Sequence, residues 1–100
     1  MEKEKEKIYR QLMWDYNISP EEVDKLIKGE TEHAGHYDIN KLFVKILESF
    51  PWFTIIKIFD IQKINVLLNE QTIRKLRSPS LRDKYSYVKK RLQEIIPASG

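Results

Sequence analysis

The 100-residue sequence predicts an all-α protein, a single small bundle of about five to seven short helices with a central apolar helix. Three observations predict it. Apolar residues recur at three- and four-residue spacing through most of the chain. A complete helix-start signature stands at Ser19-Pro20-Glu21-Glu22. No partner strand is visible for the one β-branched run. The expected organisation is a frayed, charged lead-in over residues 1–7, one helical domain over 8–97 and a tail at 98–100.

Glu2 to Lys7 alternates Glu and Lys. On a helix this pairs opposite charges at i,i+3 but sets like charges at i,i+4, such as Glu2/Glu6, so the segment is expected to fray. The first helix then carries Ile8, Tyr9, Leu12, Met13 and Tyr16 on one side. Ser19 places a hydroxyl at the N-cap, Pro20 fits N1, and Glu22 at N3 completes a capping box. That helix carries Val23, Leu26 and Ile27 and stops at Gly29.

Residues 29–38 read as a polar loop with two glycines and two histidines. Asp38 or Asn40 caps the next helix, whose stripe is Ile39, Leu42, Phe43, Ile46, Leu47 and Phe50. Pro51 opens a new element. In it Trp52, Phe53, Ile55, Ile56, Ile58 and Phe59 leave only Thr54 and Lys57 polar, so it is expected at the centre of the fold. Its β-branched run also fits a buried strand over 52–59. Helix is preferred because Pro51 opens the segment and no partner strand is visible.

Ile61, Ile64, Leu67 and Leu68 suggest another short helix. Asn69 caps the next turn, with Ile73 and Leu76 inward. Ser78-Pro79-Ser80 reads as a turn, with Ser80 as cap of the last helix. That helix sets Leu81, Tyr85, Val88, Leu92, Ile95 and Ile96 on one face, and Pro97 ends it. The expected core is Leu42, Phe43, Ile46, Leu47, Trp52, Ile55, Ile56, Phe59, Leu81, Tyr85, Val88 and Leu92.

Composition narrows the function classes. Apolar residues make up 41% and charged residues 33%, which is globular rather than disordered. With no cysteine, disulfides, thiolate metal sites and thiol chemistry are excluded. The charged N-terminus has no apolar stretch of the secretory kind, and Phe50 to Ile58 falls far short of a membrane span. A cytoplasmic protein without a membrane role is therefore expected.

Signs of catalysis are missing. Three glycines, at 29, 35 and 100, build no phosphate-cradling loop. Acidic residues alternate with lysines or sit at helix starts, where capping and solubility explain them. None is embedded in an apolar run that would shift its pKa. The chain is read as no enzyme, with no cofactor. His33 and His36, near Glu30, Glu32 and Asp38, have zinc-ligand chemistry, but a solvated polar loop explains them more simply, so no metal is expected.

Charge is unevenly placed. Residues 74–91 hold eight cations against Asp83 alone, a net +7; with the whole chain at +3, the remainder is −4. Arg74, Lys75, Arg77, Arg82, Lys84, Lys89, Lys90 and Arg91, with Tyr87 as the aromatic expected to be exposed, are the candidate contacts for a partner or a nucleic acid. Two helices joined by a turn are loosely similar to helix-turn-helix. However, on the last helix Lys84 and Arg91 flank one edge of the apolar stripe, Arg82 and Lys89 flank the other, and Lys90 points away. Such flanking cations also suit a solvated face. Only weak, non-specific DNA binding is expected, unless helix 70–77 packs beside one flank and supplies its missing side.

Trp14-Asp15-Tyr16, then Leu42-Phe43-Val44-Lys45-Ile46-Leu47-Glu48 and Pro51-Trp52-Phe53, together resemble a family of short bacterial all-helical proteins often encoded beside nucleotidyltransferase toxins of the abortive-infection type. Leu76 to Arg82 and Tyr85 to Arg91 look like the tail of its longer members. The resemblance spans roughly residues 12–92, on motifs that are mostly structural. It implies a bacterial cytoplasmic protein acting with a toxin-like enzyme as antitoxin or accessory factor. The family has no assigned catalytic residues, so none is carried over. The expected function is that of a protein-interaction module with a protein partner; the alternative is a nucleic-acid-binding helical domain using the basic quarter.

Overall fold

A computed structural model of the chain describes residues 2–96. Among them are seven helices and no strand. The chain divides into two units, Met1–Ile58 and Phe59–Gly100.

The first unit holds α1 (Lys3–Leu12), α2 (Pro20–Lys28), α3 (Ile39–Ser49) and α4 (Trp52–Ile58). α1 packs on α2, and α3 on α4. α1 starts at Lys3, more than a turn before the expected Ile8. Ion pairs hold this turn: Lys5 meets Glu2 at 3.8 Å, Arg10 meets Glu6 at 2.8 Å, and Lys57 of α4 reaches Glu4 at 2.7 Å. The i,i+3 attraction and the tie to α4 outweigh the like charges at i,i+4. At its other end α1 stops at Leu12, so Tyr16 leaves the helical stripe and is exposed.

α2 forms as its capping box dictates. The Glu22 N–H donates to Ser19 Oγ at 3.2 Å, and the Ser19 N–H donates to Glu22 Oε1 at 3.4 Å. The helix ends at Gly29, in the left-handed region at φ 80°. The Gly29 N–H donates to the Leu26 carbonyl and the Glu30 N–H to the Lys25 carbonyl, a Schellman closure. Between α2 and α3, Ala34 and Tyr37 exchange both backbone hydrogen bonds. The tip includes Gly35 at φ 60°, a left-handed conformation that calls for glycine; a Cβ there would also push on the tip of the Ile18 side chain, 2.7 Å away. Asp38, one of the two expected candidates, caps α3 by accepting from the Lys41 N–H at 2.8 Å.

The expectation for residues 52–59 is half corrected. The segment is a helix, not a strand, but it is not enclosed. Ile55, Ile58 and Phe59 are buried, Trp52 is half-buried, and Phe53 and Ile56 are exposed at 63% and 46%. A seven-residue helix between Pro51 and Asp60 buries one side only. Apolar composition therefore overstates its burial, and it is no central helix. The rest of the unit's core follows the stripes: Tyr9, Leu12, Val23, Leu26, Leu42, Phe43, Ile46 and Leu47.

The second unit holds α5 (Ile61–Leu67), α6 (Glu70–Lys75) and α7 (Pro79–Ile95). α7 packs on both α5 and α6. Asp60 caps α5, Asn69 caps α6, and the buried Thr72 hydroxyl donates to the Leu67 carbonyl at 2.8 Å. The cap of the last helix lies two residues before the expected one. Ser78, not Ser80, is the N-cap, and Pro79 takes N1, which its fixed φ favours. Buried residues include Ile64, Leu67, Leu68, Ile73, Leu76, Tyr85 and Leu92; the expected core residues Leu81 and Val88 are half-buried. Ile96 is already extended, at φ −105° and ψ 102°, as the residue before a proline tends to be. The expected stop at Pro97, the tail at 98–100 and Met1 of the lead-in lie outside the described residues.

Candidate functional site

All nine candidate contacts fall in the second unit, where the fold sorts them. Arg74 and Lys75 stand exposed in the last turn of α6. Arg77 is exposed in the connector. Arg82 is half-buried and turned inward: its Nη1 donates to the Leu76 carbonyl at 2.6 Å and to the Arg77 carbonyl at 3.3 Å. It closes the C-terminal end of α6, where backbone carbonyls lack helical partners. Lys84 places its ammonium 5.3 Å from the centre of the Tyr85 ring. Lys89 is half-buried, Lys90 exposed, and Arg91 pairs with Glu94 at 2.9 Å. Tyr87 is 64% exposed.

These residues do not form one patch. α6 packs against α7 so that Glu70, Ile73, Arg74 and Ser86 line a shallow groove of ≈320 Å³. Ser86 shares the flank of α7 that carries Arg82 and Lys89. Helix α6 thus supplies Arg74 to that flank, while Lys84 and Arg91 stay on the other. Arg74, Lys75, Lys89 and Lys90 enter no ion pair among the described residues.

The most exposed aromatic is in the first unit. Trp14 is 82% exposed, beyond the 64% of Tyr87, on which the sequence focused. It stands just past the end of α1, beside an open groove of ≈490 Å³ whose other walls include Arg10, Met13, Ile18, Pro20 and Glu21. Met13, buried at the base of this loop, anchors it. The one signal for this in the sequence was phase: Trp14 points opposite Ile8 and Leu12 on a helical projection.

The histidine loop is built from rings rather than ligands. The His36 ring lies 4.4 Å from that of Tyr37, Tyr16 meets Tyr37 edge-on at 5.6 Å, and Lys45 sits 5.0 Å over Tyr16. Burial pushes the Tyr37 phenol up to about 12, helped by hydrogen bonding with Tyr16 and by the charge of Asp15. Among the described residues no three acids or histidines group as metal ligands would. Nor is any described helix long and apolar enough to cross a membrane. No family model, curated protein or solved structure matches the chain.

Proposed function

We propose that this protein is a protein-interaction module, an antitoxin-like or accessory partner of a toxin-type enzyme encoded beside it in a bacterial genome. It would act in the cytoplasm and carry no chemistry of its own. The observation that supports this reading is Trp14. A tryptophan left 82% exposed beside Arg10, over an open and largely polar groove, has the composition of an interface anchor. The partner class comes from the family resemblance of the Trp14-Asp15-Tyr16 and Leu42 to Phe53 segments.

The test is co-expression with the product of the neighbouring gene, size-exclusion chromatography of the pair, and calorimetric titration. A stable complex is expected, with Trp14→Ala weakening it at least tenfold, the loss of about 1.4 kcal/mol or more. Absence of a complex would remove the partner reading. A complex indifferent to Trp14→Ala would remove the Trp14 surface from it.

A further inference from the structure

We propose that the α6–α7 hairpin binds single-stranded nucleic acid, with Arg74, Lys89 and Lys90 on phosphates and Tyr87 under a base. The inference uses the second unit alone and does not rest on the Trp14 reading.

The placement comes from packing. Arg74 reaches α7 at Ser86, because the two line the same groove. From Ser86, Lys89 and Lys90 lie three and four residues on, hence on the adjoining turn of the same side. From Lys90, Tyr87 lies three residues back, as near as helix neighbours come. Arg74, Ser86 and Lys90 thus form an exposed path across the hairpin that ends at Tyr87, on the edge of α7 that carries Lys84 and Arg91. Neither the α6 sequence nor the α7 sequence contains this path by itself.

Charge selects the ligand. Arg74, Lys89 and Lys90 enter no ion pair among the described residues, so their charge is available to an outside anion. Arg91 and Arg82 are spent within the fold, on Glu94 and on the Leu76 carbonyl. Three acids border the path: Glu70 lines the groove beside Arg74, Asp83 lies one turn before Tyr87, and Glu94, four residues on from Lys90, is held by Arg91. An acidic polypeptide would satisfy the cations but leave Tyr87 idle. A single strand uses both, since phosphates follow the cations and an unpaired base stacks on an exposed ring. Duplex DNA keeps its bases stacked inside, which gives the phenol nothing to hold. With three cations engaged, binding is weak and steeply salt-dependent, its logarithmic slope near −0.7 per phosphate, or about −2 in all.

The experiment is a fluorescence-anisotropy titration of the full chain with labelled oligo-dT of about 20 nucleotides, repeated over a range of salt. Micromolar binding at low salt with a slope of about −2 is expected. The double reversal Arg74→Glu, Lys90→Glu should weaken it at least tenfold, and Tyr87→Ala about fivefold or more. Lys25→Glu, an exposed reversal in the first unit, should leave it unchanged. All these positions are exposed, so matched melting curves confirm folding. Failure to bind oligo-dT, or binding untouched by the double reversal, overturns the proposal. Equal affinity for poly-L-glutamate with Tyr87→Ala silent overturns it in favour of an acidic polypeptide. A preference for duplex over oligo-dT removes the stacking role and with it the single-stranded ligand.

Discussion

Arg82 donates to the Leu76 carbonyl at 2.6 Å, so the first turn of α7 holds the last turn of α6. A guanidinium on a terminal carbonyl is a charge-assisted hydrogen bond at the negative end of a helix. Arg82→Met keeps the stem and removes the donor. It should cost about 1.5–3 kcal/mol, read as a lower midpoint in urea denaturation at unchanged slope. Any charge reversal at Arg82 would confound a binding measurement with unfolding, which is why the nucleic-acid test uses Arg74 and Lys90.

Ser19 and Ser78 both precede a proline at N1, yet only Ser19 has a reciprocal partner. Glu22 returns a hydrogen bond to the Ser19 backbone, whereas the N3 position of α7 is Leu81. Ser19→Ala should destabilise by about 1 kcal/mol, and Ser78→Ala by less, nearer 0.5 kcal/mol. Paired thermal melts decide it; equal losses would mean that the Glu22 arm contributes nothing.

Phe43 and Ile56 looked equally buried in the sequence but are not. Phe43 is fully enclosed and Ile56 is 46% exposed. Phe43→Ala should therefore cost about 3–5 kcal/mol, while Ile56→Ala should stay near or below about 1 kcal/mol. Chemical denaturation of the two variants side by side checks the phase of α4.

Tyr9 is enclosed, and its hydroxyl has no hydrogen-bond partner among the described residues. Tyr9→Phe removes an unsatisfied polar atom and should leave stability unchanged or raise it by up to about 1 kcal/mol. The same burial, with the charges of Asp24 and Glu2, pushes its phenol from 10.0 up to about 12. A phenol raised on folding stays neutral in the native state after the unfolded chain has begun to ionise. Its contribution is thus complete below pH 10 and is lost as pH rises towards 12. Tyr37 shifts the same way, also to about 12. Stability measured by urea denaturation should accordingly fall across this window. In Tyr9→Phe the fall should be shallower.

Features set by neighbours in sequence were legible beforehand. The Ser19 box, the Asn69 cap and the α3 stripe depend on residues three or four apart and stand where the sequence puts them, and of the two candidates for the α3 cap the structure takes Asp38. The Ser78 cap was readable too, since Ser78-Pro79 repeats the order of Ser19-Pro20; a second serine at 80 obscured it. What composition could not reveal was how many sides of α4 have neighbours. The role of Arg82 was also out of reach, because its acceptor is created by the turn at Leu76 to Ser78. For the basic quarter, helical phase divides the cations of α7 between two flanks. Only packing shows that α6 brings Arg74 to one of them.

Five of the seven helices among the described residues begin on a Ser, Asp or Asn that accepts from the backbone three residues ahead. Each such signal is complete within four consecutive residues, and most close residue pairs in the chain are near in sequence. Helix starts can therefore be marked in the unfolded chain before any distant segment arrives, with little loop-closure entropy to overcome. Folding should accordingly be quick, in the microsecond-to-millisecond range of low-contact-order helical proteins, and its rate should respond more to the caps than to the exposed face of α4.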